Sequence, residues 1–311
     1  MATDTGPLPL HDLIRYHGRL YVHPLEWTPR HLDLVGCQFQ DVASEERAYK
    51  ADENQRDTSA SDAEEIATNP IYAFKSRSLG KILVGEEHAF IRVRAGSPFY
   101  FEGRSVHRPR YTIFHRHGEP QNYLTQGSPP LVGYLHYNFV IGDRGRRFDG
   151  HRPPPRGIRD WVGQELRCKK LAKIEPKNWI EDQYLVCILL ALAQIQERKL
   201  KGTKPASYIS RLIVGHVLEN ESMLFYEAEI TAELLEVLQS PKTATIYRPW
   251  PTIKRKKIPY KPYNTFAGRL TAELVAPTSS SYKRSTISDS VLKRQLEDES
   301  IETSKTRQLM A

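Results

Sequence analysis

The chain has 311 residues, of which 39% are hydrophobic and 26% are charged, and its formal net charge is +8. This composition is typical of a soluble globular protein with one large domain or two small ones, and the charge permits acidic partners without requiring them. The three cysteines, Cys37, Cys168 and Cys187, form no paired framework, which excludes a disulfide scaffold and favours a cytoplasmic or nuclear location.

The first 69 residues divide into two segments of different composition. Residues 1–40 contain the apolar stretches DLIRYHGRLYVHPLEW and HLDLVGCQF, from which we predict strands that pack on the core. The chain starts without an apolar signal sequence, so we expect no secretion. Residues 41–69 hold nine acidic residues against three basic ones, which predicts an acidic, mobile linker.

Residues 70–141 show an apolar–polar alternation of period two. The stretch GKILVGEEHAFIRVRAGSPFYFEG predicts three strands, and RYTIFHRHG and PPLVGYLHYNFVIG continue the series. The alternation predicts an antiparallel meander of four or five strands. The segment GDRGRRFDGHRPPPRG, residues 142–157, predicts an extended connector because it is rich in Gly, Pro and Arg.

Helical spacing becomes prominent in the second half of the chain. An apolar run over residues 184–193 is about half as long as a membrane span, and acidic residues precede it while basic residues follow it. We therefore predict a long buried helix over residues 179–200 and no membrane association. SYISRLIVGHV and SMLFYEAEI predict a second β-hairpin, and TAELLEVL and NTFAGRLTAEL predict short C-terminal helices.

These elements predict an α+β fold, in which an antiparallel meander packs on the long buried helix. We expect the core domain to span residues 70–275. Residues 276–311 are rich in Ser and Thr and mixed in charge, and this predicts a disordered tail.

Two histidines, His115 and His117, are the metal-ligand candidates. On a strand they share one face, so both imidazoles could bind one ion, and His107 or His136 could supply a third ligand. The alternative is a solvated pair opposite Phe114. We prefer this second interpretation because a metal site needs a matched ligand set and supporting hydrogen bonds.

A basic segment near the C-terminus is the candidate nucleic-acid interface. Basic side chains could contact phosphates, and an interleaved tyrosine could stack on a base. The alternatives are a nuclear-import signal and a solvated connector. The candidate residues are Lys254, Arg255, Lys256, Lys257, Tyr260 and Lys261.

A nuclease-like metal site is a further hypothesis within the nucleic-acid interpretation. Glu175 and Lys177 have the Glu-x-Lys spacing, with Asp160 upstream. These residues fall between predicted helices, and Pro176 does not suit the strand that such a site uses.

Motifs for the common catalytic and cofactor sites are absent from the sequence. It contains no nucleophile elbow, phosphate-binding loop, dinucleotide fingerprint, HExxH helix or CxxC pair. We therefore expect no cofactor and favour a non-enzymatic accessory or interaction protein with protein partners. The alternatives are a nucleic-acid-binding protein and a metal-dependent enzyme that acts on small molecules.

The C-terminal half carries a resemblance to a known set of proteins. EDQYLVCILLALAQIQERKL is followed by YISRLIVGHV, LFYEAEITAELLEVL and YRPWPTIKRKKIPYKPYNTFAGRL. Residues 178–272 thus resemble uncharacterised proteins that are common in filamentous fungi, with an acid-capped apolar helix, a strand pair, a Leu-Leu helix and a Pro-Tyr-x-x-Tyr-x-Thr-Phe terminus. The set has no agreed activity, and some members are encoded among specialised-metabolite genes. The resemblance implies an accessory role and no catalytic residue.

Overall fold

The computed structural model describes residues 8–43, 56–85, 88–93, 96–118, 129–149, 161–200 and 202–277. These ranges form an α+β fold, as the sequence predicts. The helices are α1 (Leu10–Tyr16), α2 (Pro29–Val35), α3 (Arg56–Thr68), α4 (Tyr72–Leu83), α5 (Asn138–Arg147), α6 (Trp161–Ile174), α7 (Tyr184–Lys199), α8 (Ala232–Gln239) and α9 (Tyr263–Val275). The strands are β1 (Gln38–Asp41), β2 (Phe90–Val93), β3 (Phe99–Phe101), β4 (Arg104–His107), β5 (Thr112–Arg116), β6 (Leu131–His136), β7 (Ser207–Gly215), β8 (Ser222–Thr231) and β9 (Thr252–Pro259).

One mixed sheet of seven strands organises the fold. Its strand order is β1-β9-β8-β7-β6-β5-β2, and β3 and β4 form a separate two-stranded sheet. Two neighbouring pairs are parallel, β1 with β9 and β6 with β7, while the other neighbours are antiparallel. The predicted hairpin β7–β8 therefore belongs to the same sheet as the antiparallel strands β2, β5 and β6.

The predicted core helix, α7, covers one face of this sheet. Residues 184–193 are each at most 1% exposed, because an apolar side chain on every face of the helix meets β3, the large sheet or α8. The prediction of a long buried helix is confirmed. Among the described helices, none has the length and apolar content needed to cross a membrane.

Helices α3, α4 and α9 cover the opposite face of the sheet. Ile66 of α3, Leu79 and Leu83 of α4, and Phe266 and Leu270 of α9 pack there in a second apolar cluster. The sheet thus lies between two helical layers, and each layer buries its own hydrophobic core.

The prediction of N-terminal strands is wrong for most of residues 1–40, although the segment does pack on the core. Its described residues, 8–40, fold into α1, α2 and two 3₁₀ turns, and β1 is the one strand among them. Helix α2 forms because Pro29 suits a first helical position, and the side chain of His31 accepts a hydrogen bond from the backbone N–H of Thr28. Gly36 ends this helix with a φ of 73°.

The acidic linker predicted for residues 41–69 is also wrong in its second half, which is helix α3. Ala63, Ile66 and Ala67 are buried, and the carboxylate of Asp62 pairs with the Lys81 ammonium at 2.8 Å. The acidic side chains thus face partners on α4. Residues 44–55 of the predicted linker lie outside the described residues, as do residues 278–311 of the predicted tail.

Two segments of the predicted meander are helical. Residues 72–83 form α4, because Leu79, Ile82 and Leu83 follow helical spacing and enter the second apolar cluster. The end of the last predicted strand turns into α5 at Asn138. A short apolar run does not by itself distinguish a strand from a buried helix, so the period-two pattern does not predict these two helices.

Candidate functional site

The metal-ligand candidates lie at the end of β5. His115 is half-buried, and its Nδ1 donates to the carbonyl oxygen of Arg116 at 2.8 Å. Burial lowers the pKa of His115. His117 follows the strand and is exposed.

Among the described residues, none is placed as a third ligand for this pair. His115 is opposite Leu131 at the start of β6, whereas His136 ends that strand about 17 Å away. His107 belongs to the separate β3–β4 sheet and packs against Tyr184. In the described ranges, no three His, Cys, Asp or Glu side chains are placed to hold a metal ion. The metal hypothesis for His115 and His117 gains no support and stays a prediction.

The basic segment 254–257 is part of β9, inside the sheet, and is not a free connector. Strand alternation sends its side chains to opposite faces. Arg255 is 5% exposed and donates to both carboxylate oxygens of Asp41, at 2.6 and 2.7 Å, and to Glu181 at 3.2 Å. Lys256, on the other face, donates to Glu273 at 2.9 Å. The expected contiguous basic surface does not form, because two of its charges are neutralised within the fold.

Tyr260, the expected stacking side chain, is a core residue. It is 1% exposed, and its ring packs 5.1 Å from that of Phe266. A base therefore cannot reach its face. Lys254 is partly exposed, and Lys257 and Lys261 are exposed. The nucleic-acid hypothesis for this segment stays a prediction.

An apolar pocket of about 280 Å³ lies under the N-terminal helices. Helices α1 and α2, the β3–β4 sheet, the end of α8 and the segment before β9 contribute its walls. No Asp, Glu, Lys or Arg of the described ranges lines it. Prominent apolar side chains of the lining are Leu13, Leu32, Phe99, Phe101, Leu238 and Trp250.

Imidazoles supply much of the polar chemistry of this pocket, from His17, His23 and His31. Nδ1 of His23 accepts the N–H of Leu25 at 3.3 Å, and Nδ1 of His31 accepts the N–H of Thr28 at 2.9 Å. In a neutral ring that accepts at Nδ1, the proton is on Nε2. Burial, and then the charge of Arg147, lower the pKa of His23, so this ring is neutral at neutral pH.

Behind the pocket, polar side chains lead from His23 toward the core. The ring of His23 meets that of His107 edge-on at 4.5 Å, and Nε2 of His107 is 2.7 Å from the hydroxyl of Tyr184. Burial, with smaller contributions from His23 and Arg147, lowers the pKa of His107 to about 4. His107 is thus neutral at physiological pH.

A buried ion pair fixes the pocket to the core helix. Arg144 of α5 and Asp182, just before α7, are 2% and 0% exposed at their side chains, and two hydrogen bonds of 2.5 and 2.7 Å join them. Asp182 also accepts from the Tyr137 hydroxyl at 2.6 Å and from the N–H of Tyr184 at 2.8 Å. Arg144 donates to the carbonyl oxygen of Leu25 at 3.0 Å. The turn that carries His23 is therefore tied to the start of α7.

Cysteine chemistry finds no support at this site. Cys37 is buried, and its thiol donates to the carbonyl oxygen of Pro251 at 3.2 Å. Burial raises the pKa of Cys37 to about 12, which keeps it a thiol. Cys187 is buried in α7, whereas Cys168 is exposed on α6.

The buried imidazoles make folding stability depend on pH. Burial lowers the pKa of both His107 and His136 to about 4, against about 6.5 for an unfolded chain. Below about pH 6.5 the unfolded state therefore binds more protons, and stability falls as the pH drops from 6.5 toward 4. We expect each residue to remove up to roughly 3 kcal/mol from the free energy of unfolding by pH 4.

Urea unfolding between pH 7 and pH 5 measures this loss. His107→Gln should reduce the slope by up to about 1.4 kcal/mol per pH unit, because one proton-binding difference disappears. An unaltered slope in His107→Gln would contradict the assignment.

The sequence pattern did not reveal this site, because its walls come from segments far apart in the chain. One signal was present in the sequence: residues 17–31 contain His17, His23 and His31 together with Trp27. Imidazoles and an indole are side chains that can supply the few polar groups of an otherwise apolar ligand pocket.

Comparison with known proteins does not assign this site. A scan against protein-family models finds no match to the chain, and a search of curated proteins finds no similar sequence. The resemblance of residues 178–272 to fungal proteins consequently stays an expectation. The chemistry of the pocket is the remaining guide to function.

Proposed function

We propose that the protein is a non-enzymatic accessory protein that binds a largely apolar small molecule in the N-terminal pocket. The observation that carries this proposal is a concave site of about 280 Å³ lined by apolar and aromatic side chains, without a charged side chain from the described ranges. Ligand pockets commonly combine such walls with a few fixed polar groups. Here His23 and His31 have that character, because backbone N–H groups orient their rings.

The size of the pocket limits the ligand. Since a water molecule takes about 30 Å³ in the liquid, this volume suits a compact molecule with on the order of ten to fifteen non-hydrogen atoms. No Asp, Glu, Lys or Arg of the described ranges lines the pocket, so an ion would lose its hydration there without a compensating charge. The resemblance to proteins encoded among specialised-metabolite genes supports such a ligand, and protein partners remain an expectation.

Fluorescence titration with 1-naphthylamine, an uncharged apolar dye within this size range, tests the proposal. We expect saturable enhancement with the full-length protein. Val106→Trp should weaken binding at least about tenfold, or by about 1.4 kcal/mol, because Val106 lines the pocket and is 38% exposed, so a larger side chain can occupy the cavity without disturbing the core.

Val162→Trp provides the matched control. This valine is 79% exposed on α6 and does not line the pocket, so the same substitution should leave dye binding unchanged. Circular dichroism should show that both variants are folded. The proposal fails if the wild-type protein gives no saturable signal, or if both variants bind the dye equally well.

A further inference from the structure

A second cavity, which we call the polar pocket, lies on the large sheet where β8 and β9 run side by side. Its volume is about 280 Å³. From β8 it is lined by Glu227, Glu229 and Thr231, which alternate along the strand and therefore share one face of the sheet. Lys254 of β9 is paired with Glu227 in register, and Trp250 lies in the segment before β9. Carboxylates, a hydroxyl, an ammonium group and an indole thus face one space.

Helix α9 ends beside the polar pocket. Arg211 of β7 donates to the carbonyl oxygens of Leu274 and Ala276 at 2.8 and 2.7 Å, which holds the end of the helix at this strand. Among the described residues that line the polar pocket, none belongs to a helix. The sheet itself therefore forms most of the wall, and strand pairing fixes the positions of its side chains.

The two carboxylates of the wall are held in place by hydrogen bonds. Glu227 is 9% exposed, and its Oε2 accepts from Nε and Nη2 of the buried Arg211 at 2.7 and 2.6 Å. Glu229 is partly exposed, and its Oε1 accepts from the hydroxyl of Ser207 at 2.7 Å. These bonds engage one oxygen of each carboxylate. A carboxylate has acceptor capacity on both oxygens, so each can also accept from a ligand.

The charges at the polar pocket balance. Glu227 is matched by Arg211 behind it, and Lys254 adds a positive charge to a lining that also contains Glu229. An anion would face two carboxylates, and a cation would face a wall whose carboxylates are already offset by two basic side chains. This balance favours a neutral ligand that carries several hydrogen-bonding groups.

Trp250 gives the polar pocket an aromatic wall. It is partly exposed and borders the apolar pocket as well. The C–H face of a sugar ring packs against an indole, while the hydroxyl groups around the ring donate to carboxylates. Since a water molecule takes about 30 Å³ in the liquid, the volume suits on the order of ten to fifteen non-hydrogen atoms, which is the size of a single hexose.

We propose that the polar pocket binds a neutral hexose. Its hydroxyl groups would donate to Glu227 and Glu229, and one face of its ring would pack on Trp250. The Thr231 hydroxyl and the Lys254 ammonium would donate to its oxygens. This proposal does not depend on a ligand in the apolar pocket, so either proposal can fail alone.

NMR of the full-length protein tests the proposal through the ¹H–¹⁵N signal of the Trp250 indole, which a Trp250→Phe variant assigns. D-glucose, D-galactose and D-mannose are titrated separately. We expect a saturable shift in the millimolar range with at least one of them. The same shift should persist in Val106→Trp, because Val106 lines the apolar pocket and not the polar one. Loss of the shift in that variant would place the sugar in the apolar pocket and contradict the proposal.

Glu229→Gln should weaken hexose binding at least about tenfold, because an amide replaces a charged acceptor. The amide oxygen can still accept from Ser207, and binding of 1-naphthylamine should not change, since Glu229 does not line the apolar pocket. Glu236→Gln is the matched control: Glu236 is exposed on α8, does not line the polar pocket, and should bind hexose like the wild type when replaced.

Three results would overturn the proposal. The first is the absence of a saturable shift with all three hexoses. The second is unchanged hexose binding in Glu229→Gln. The third is a saturable shift with methylammonium chloride but with none of the hexoses, which would assign the polar pocket to cations.

Discussion

Replacing Leu189 with Asp should abolish folding. Leu189 is 1% exposed in the middle of α7, where apolar side chains surround it on all sides. A carboxylate at this position would be buried without a counter-charge, at a cost of several kcal/mol, in addition to the lost packing of a leucine. Since typical domains have a free energy of unfolding of about 5–15 kcal/mol, this one substitution removes most of it. Loss of the cooperative urea transition, followed by circular dichroism, would show it.

Leu218→Asp is the control for this substitution. Leu218 is 82% exposed between β7 and β8, so the same chemical change should alter the free energy of unfolding by less than about 0.5 kcal/mol. Well-folded Leu189→Asp protein with a normal unfolding transition would contradict the placement of α7 in the core.

Replacing Asp182 with Ala should destabilise the protein by about 3–5 kcal/mol, because the Arg144 guanidinium then remains buried without its counter-charge. The substitution also removes the acceptor of the Tyr137 hydroxyl and of the N–H of Tyr184. Urea unfolding at neutral pH measures the loss. We expect dye binding in the pocket to weaken in parallel, since Arg144 also holds the carbonyl group of Leu25.

Two further variants test whether the loss of stability arises from burial of the unpaired Arg144 charge. The side chain of Glu165 pairs with Lys169 on the surface of α6, and both side chains are more than two-thirds exposed. Removing Glu165 should therefore lower the free energy of unfolding by less than about 0.5 kcal/mol. The double variant Arg144→Met, Asp182→Leu should be more stable than Asp182→Ala, because no unpaired charge remains. Equal losses in the double and single variants would show that the charge is not the cause.

The sequence was most informative where one short segment carries the whole signal. Residues 184–193 are apolar without interruption, and this alone predicts a helix buried on all sides. The strands β7 and β8 were equally predictable from the sequence, because both are long and apolar and are joined by a polar turn. Local pattern and tertiary environment agree at these positions.

Prediction from the sequence failed where a distant partner decides the outcome. The charges of residues 254–257 look solvated in the sequence, but Asp41, 214 residues before Arg255, neutralises one of them. The acidic residues around Asp62 indicate a linker until Lys81 is placed beside them. Composition reports the charge of a segment and cannot report what faces it.

The lining of the pocket could not be predicted from the sequence for the same reason. The pocket joins α1 and α2 to Phe99, Leu238 and Trp250, and no periodicity connects these positions. Such neighbours are properties of the topology, so they become visible only once the strand order is known.

The pairing of β1 with β9 also constrains folding during synthesis, because β1 can pair only after β9 has been synthesised. Residues 38–41 leave the ribosome early, but their partners at 252–255 follow 214 residues later. At about 5–20 residues per second, the N-terminal segment waits roughly 10–40 s for that strand. Leu238 and Trp250 also line the pocket, so its wall is incomplete in the nascent chain until residue 250 has been made.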